Sequence, residues 1–231
     1  TNCGAQGVAP PLGGAVRMLG TNPLSAAAPA AGLAPFVLDM STTVAATGKI
    51  QAARRAGRPV PVGWLIGQDG ADVTDPAAYY ERSAEVAWLG GRVETGGAKG
   101  YGLALFVDLL CGPLAGAAYG PRAEVLDGVG PSEDRDIGHF ALALDPAAFT
   151  LADRFLDGAR EILTTVEACP PAGYAGGVTY PGAPEARHAA QAEVTGVALP
   201  DAVAAELARL AQRLQLPVPD ALRVGEAVAT P

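Results

Sequence analysis

Histidine is nearly absent: the 231 residues hold only His139 and His188. Neither has the Ser and Asp neighbours that would announce a nucleophilic triad. Cysteine is almost as sparse. Cys3, Cys111 and Cys169 are odd in number and far apart, with no CxxC pair and no Cys/His cluster. That excludes a structural zinc site and reads as buried free thiols in a reducing cytoplasm. Aromatic residues make up 6% of the chain, so Ala and Gly must build much of the core, which suits close packing of helices on a sheet. Basic clusters are lacking as well. A net charge of −8 excludes nucleic acid or an anionic membrane surface as the main partner. No basic region followed by an apolar run opens the chain. The most apolar stretch, Tyr101 to Tyr119, carries Asp108, Pro113 and several glycines. A span requires roughly 20 apolar residues, so this stretch reads as a buried core helix.

What is present suits one large domain or two small ones. Thr1 to Gly32 is rich in Gly and Pro and reads as surface loops with short strands. Phe36-Val37-Leu38-Asp39-Met40 is an apolar run that ends in Ser41-Thr42-Thr43. It predicts a buried strand feeding a helix to about Ala56, with a hydroxyl as N-cap. Val60 to Trp64 reads as a strand or extended loop, Asp69-Gly70 as a turn, and Thr74-Asp75-Pro76 as the start of a turn or short helix. The glycine-rich segment Thr95 to Gly102 leads into an apolar helix, Leu103 to about Leu110. Ile137 to Leu144 alternates as a strand does, which makes His139 a core histidine, while His188 falls on a solvated helix. Helices are predicted over Leu151–Val166, Pro184–Val194 and Pro200–Leu216. In the last of these, Val203, Leu207, Leu210 and Leu214 form a stripe that reads as core packing. The tail after Pro217 is expected to be loosely held.

Two segments could carry chemistry. Thr95 to Gly102 has four glycines in eight residues before a helix, so backbone N–H groups could approach an anion, with Lys99 adding a charge. It is neither a Walker loop nor a Rossmann fingerprint. The Asp39-to-Thr43 corner sits where a strand gives way to a helix, a common place for ligands in α/β sheets. Taken by itself, helix capping is the favoured explanation of its hydroxyls.

The ordered motifs resemble a family. They are Gly20-Thr21-Asn22-Pro23, Phe36-Val37-Leu38-Asp39-Met40-Ser41-Thr42, Gly48-Lys49-Ile50 and Pro61-Val62-Gly63-Trp64. There follow Thr74-Asp75-Pro76, Gly97-Ala98-Lys99-Gly100-Tyr101-Gly102-Leu103-Ala104, Gly138-His139-Phe140, Leu144-Asp145-Pro146 and Pro181-Gly182. Together they resemble the C-terminal two-thirds of the second malate/L-lactate dehydrogenase family, which includes ureidoglycolate dehydrogenase, diketogulonate reductase and piperideine-2-carboxylate reductase. The resemblance implies an α/β, non-Rossmann NAD(P)-binding fold, with a mainly antiparallel sheet flanked by helices. It implies a remainder of a substrate and dimerisation domain in residues 1–18 and a cofactor-binding part in 19–150. Residues 151–231 would be a helical part that packs back on the first. It implies a cytoplasmic dimer that interconverts 2-oxo acids or cyclic imines with 2-hydroxy or amino acids, using NAD or NADP. By position, Asp39, Ser41, Thr42, Thr43, Lys49, Gly97, Lys99 and Gly100 are the expected cofactor contacts. The family's catalytic His lies in an upstream segment, so a companion N-terminal chain from the same precursor is expected.

The chain begins Thr1-Asn2-Cys3, with no initiator Met. A cut before Thr1 would free an α-amine, whose ordinary pKa of about 7.7–8.0 lets it serve as base for its own hydroxyl. The alternative expectation is therefore an autoproteolytically processed, two-chain hydrolase or acyltransferase with Thr1 as nucleophile and no redox cofactor.

Overall fold

The computed structural model describes residues 1–129, 136–174 and 176–219. The expectation for the tail lies largely outside them. Contacts divide the chain into two units, Thr1–Gly182 and Ala183–Pro231.

The first unit is mixed α/β, and both of its sheets are antiparallel, as expected. Strands β1 (Leu24–Ala28) and β2 (Phe36–Met40) form a hairpin in which Leu24 faces Met40 and Ala28 faces Phe36. Helix α1 (Thr47–Arg55) follows. A three-stranded sheet then forms in the order β4 (Asp72–Val73), β3 (Leu65–Gly67), β5 (Ala84–Val86). The Asp69-Gly70 turn joins β3 to β4. Asp69 Oδ1 accepts from Ala71 N at 2.9 Å, and Gly70 takes a φ of 81°. Helix α2 (Ala77–Tyr80) precedes β5, and α3 (Gly97–Cys111) follows it. The short α4 (Ala123–Leu126) and the long α5 (Ala152–Glu167) complete the unit. Leu19, Ile50, Leu65, Val86, Trp88 and Ala104 form the centre of its core. The second unit holds α6 (Ala183–Thr195) and α7 (Asp201–Arg213).

Several expectations change. The hydroxyls after β2 do not cap α1, because its N-cap is Ala46, with no side-chain hydrogen bond. Helix α3 starts at Gly97, six residues before the predicted start. One of its faces is buried through Ala104, Val107 and Cys111, while Phe106 and Leu109 are exposed. Residues 137–144 belong to no strand, and both sides of the alternation, Ile137 as well as Phe140, Leu142 and Leu144, are exposed. Alternation shows only that a segment can be a strand; a ladder also needs a partner, and none is present among the described residues. His139 is consequently exposed and not a core histidine. The α7 stripe, expected as core packing, is 38–57% exposed. Of the thiols, Cys111 is buried, Cys3 is half-buried and Cys169 is exposed. Among the described residues no helix is long and apolar enough to cross a membrane, and no group of three or more ligating side chains could hold a metal.

Candidate functional site

The corner after β2 is built from inward-turned hydroxyls. Thr42 Oγ1 donates to Thr21 O at 2.8 Å, and Thr43 Oγ1 donates to Ala45 O at 2.8 Å. Both residues are buried, which fits these satisfied hydroxyls. Ser41 is half-buried, and its Oγ donates to Thr43 O at 2.9 Å. Asp39, Lys49 and Lys99 are exposed, and none of the three forms an ion pair among the described residues.

The structure joins this corner to the start of α3 through the segment 87–91. Val44 N donates to Ala87 O at 2.9 Å, and Leu89 N donates to Thr42 O at 3.0 Å. Gly100 N in turn donates to Leu89 O at 3.1 Å. Only glycines permit this approach. A Cβ on Gly100 would fall on the Leu89 backbone, and one on Gly97 would fall on the Gly91 carbonyl oxygen. The same contacts occupy the amides expected to meet an anion. Gly97 N donates to Arg92 O, Lys99 N to Gly96 O and Gly100 N to Leu89 O. The glycines thus have a packing role at the helix start, and the positive charge available there is the Lys99 ammonium.

A buried polar network lies further along α3, at Ala104 and Asp108. Asn2 is its hub. Its Nδ2 donates to Ala118 O at 2.8 Å and Asp108 Oδ1 at 3.3 Å, while its Oδ1 accepts from Gly138 N at 2.9 Å and Gly4 N at 3.1 Å. Asn22 Nδ2 donates to Ala104 O at 2.9 Å. Asp108 Oδ2 and Asn22 Oδ1 lack a well-formed hydrogen bond, although Asn22 and the Gly120 N–H lie close enough to act on the carboxyl.

Burial pushes the Asp108 carboxyl above the ordinary carboxylate range, against Asn2, Gly120 and Asn22, which favour the charged form. The stability that depends on its bound proton is full below the ordinary Asp value and is lost as pH rises through the raised one. Asp108→Asn stays neutral and should flatten that decline. Urea midpoints at about pH 4 and about pH 8 test this, and an equal decline in parent and variant would rule it out. Sequence reading used Asp108 only to argue against a membrane span. A lone carboxylate inside an apolar helix was the available signal.

Sequence reading passed over a second cluster. Arg17 pairs with Glu85, donates to Tyr79 O at 2.7 Å and Ala84 O at 3.1 Å, and stacks 4.1 Å from the Tyr79 ring centroid. Burial raises the Glu85 carboxyl, while the Arg17 hydrogen bond and charge, with a further contribution from Arg82, pull it down. Arg17, Glu85 and Arg82 line a cavity of about 1000 Å³, which also includes Trp88 and the loop from Pro10 to Met18. None of the eight expected cofactor contacts lines that cavity.

Thr1 is bound to carbonyls: its amine donates to Pro23 O at 3.1 Å and its hydroxyl to Gly138 O at 2.8 Å.

The sequence profile of the malate/L-lactate dehydrogenase family matches residues 1–208, and the chain belongs to that family. It is 34% identical over 206 residues to the Delta(1)-pyrroline-2-carboxylate reductase of Ancylobacter novellus, which covers 88% of this chain and 56% of that protein. It is 40% identical over 143 residues to the (2R)-3-sulfolactate dehydrogenase (NADP(+)) of Chromohalobacter salexigens, covering 61% of this chain and 39% of that one. Its fold matches the malate dehydrogenase of Entamoeba histolytica with a TM-score of 0.82 at 24% identity, over 94% of this chain and 61% of that chain. The chain therefore spans about half the length of the curated relatives it matches. These likenesses support a dehydrogenase and give no support to a hydrolase with Thr1 as nucleophile.

Proposed function

We propose that this chain supplies the cofactor-holding part of an NAD(P)-dependent oxidoreductase that interconverts 2-oxo acids or cyclic imines with 2-hydroxy or amino acids. The family match over residues 1–208 carries this reading. Pyrroline-2-carboxylate and sulfolactate, named for the two relatives, set the substrates to try first.

The residues present fit a nicotinamide dinucleotide. Asp39 and Ser41 offer a carboxylate and a hydroxyl at the end of β2, suited to ribose hydroxyls. Lys49 and Lys99, which form no ion pair among the described residues, are cations suited to a diphosphate. Thr42, Thr43, Gly97 and Gly100 contribute by fixing the backbone path between corner and helix. The bound nicotinamide supplies the hydride. The proton donor comes from a companion segment of the same precursor, because both histidines of this chain are exposed and neither belongs to the corner. Such a segment, and a second copy in a dimer, would cover apolar side chains that are bare here. Leu142, Leu144, Phe149 and Leu151 are 66–77% exposed.

Fluorescence titration of NADH and NADPH tests the site. Lys99→Ala and Lys49→Ala should each weaken binding about tenfold, the loss of one charge-assisted contact. Unchanged affinity in both would remove them from the site. Absence of any NAD(P)H-dependent turnover of these acids and imines by the intact protein would defeat the reading itself.

A further inference from the structure

The cavity beside the Arg17–Glu85 pair is lined by an arginine that has no ion-pair partner among the described residues. Three arginines line it: Arg17, Arg82 and Arg92. Arg17 is paired with Glu85 and tied to two carbonyls. Arg92 pairs with Asp72 at 3.0 Å and donates to Gly70 O at 3.1 Å. The Arg82 guanidinium has neither a hydrogen bond nor an ion pair among the described residues. Glu94 also lines the cavity, yet forms no ion pair with it. Glu85 feels the charge of Arg82 but is already bound by Arg17.

The backbone makes the arginine less expected still. Arg82 follows the C-cap of α2 and has a φ of 60°. Ser83 N donates to Ala78 O at 3.0 Å and Arg82 N to Tyr79 O at 3.4 Å. This is a Schellman motif, and its left-handed position favours glycine. Arg82 is exposed, holds a left-handed position that favours glycine, lines the cavity and forms no ion pair among the described residues.

We propose that this cavity is an oxyanion-binding site, separate from the Asp39–Lys99 corner, and that Arg82 receives the carboxylate or phosphate oxygens. Guanidinium geometry suits either group, through paired N–H donors. The biological source of the oxyanion, substrate carboxylate or cofactor phosphate, rests on the oxidoreductase reading; the binding itself does not.

Trp88 lines the cavity and is 3% exposed, so its emission can report occupancy. The intact protein is titrated with pyruvate and with inorganic phosphate, and with NADH and NADPH in parallel. Arg82→Gly should unfold at an equal or higher urea concentration, because glycine relaxes the φ. It should lose oxyanion affinity by about 10- to 100-fold, the scale of a hydrogen bond to a charged group. Arg82→Lys should keep part of that affinity. Loss for pyruvate alone assigns a carboxylate. Loss for phosphate, together with NADPH but not NADH, assigns a phosphate. Undiminished binding in Arg82→Gly, or no oxyanion binding by the parent protein, overturns the proposal. If Arg82→Gly folds poorly, Arg82→Asn, which also tolerates this φ, decides by the same binding criterion. Absent turnover with Arg82-dependent binding intact would sink the oxidoreductase reading and leave this one standing.

Discussion

Asn2→Ala should lower the free energy of unfolding by about 4 kcal/mol, a large share of the roughly 5–15 kcal/mol typical of a domain. The side chain is 2% exposed and serves four partners at once. Removing it strands the N–H groups of Gly4 and Gly138, the carbonyl of Ala118 and one oxygen of Asp108. Each stranded buried group costs about 1–3 kcal/mol, and local relaxation recovers part of the sum. Asn2→Asp offers a sharper comparison, since it keeps the shape but replaces the donor with a second carboxylate beside Asp108. Its loss should grow as pH rises and both groups lose their protons. Urea unfolding followed by tryptophan emission reads both variants. A change below about 1 kcal/mol for Asn2→Ala would show that the hub is not a hub.

Gly100→Ala should cost about 3 kcal/mol, an unusually large effect for adding one methyl group. The new Cβ would meet the backbone N, O and Cα of Leu89, and backbone cannot turn aside as a side chain can. The displacement would also travel, because Leu89 N is bonded to Thr42 O. Weaker NAD(P)H binding should therefore accompany the lost stability, although the substituted atom need not touch the cofactor. Gly102 supplies the control on the same helix. Nothing lies within 4 Å of a Cβ built there, so Gly102→Ala should gain about 0.5–1 kcal/mol from helix propensity alone. If both substitutions behave alike, close packing at the start of α3 is not what selects glycine.

These contrasts show what the sequence can express. The motif order carried the family and the type of fold, and the periodic segments carried α5, α6 and α7 to within a few residues. The glycines at 97, 100 and 102 were read as a loop because their propensity opposes helix. In the structure two of them are helical because a neighbouring backbone requires their lack of a side chain, while the third is simply open. That distinction depends on Leu89 and Gly91, which local patterning does not link to the helix. Arg17, Glu85 and Tyr79 were invisible for the same reason: they are 62 to 68 residues apart along the chain where they hydrogen-bond. Alternation over 137–144 described a real tendency, but it did not reveal that the described chain contains no strand to pair with it. Within the corner, hydroxyl-bearing residues were recognisable as a group, while the direction of the Thr42 hydroxyl depends on Thr21, a residue well upstream.

The bonds that tie Asn2 to Gly138 also bear on how the molecule reaches its shape. They close a loop of 136 residues, and the Thr1 hydroxyl closes another by donating to the Gly138 carbonyl. Such contacts raise contact order and return their energy only after most of the intervening chain is arranged. At ribosomal rates of about 5–20 residues per second, residue 138 is synthesised on the order of ten seconds after residue 2. For that interval the Asn2 side chain has no Gly138 partner, and the polar face of α3 stays incomplete. Docking of residues 1–4 is therefore a late event in folding, and slowed translation ahead of Gly138 should lengthen the period in which the nascent chain depends on chaperones.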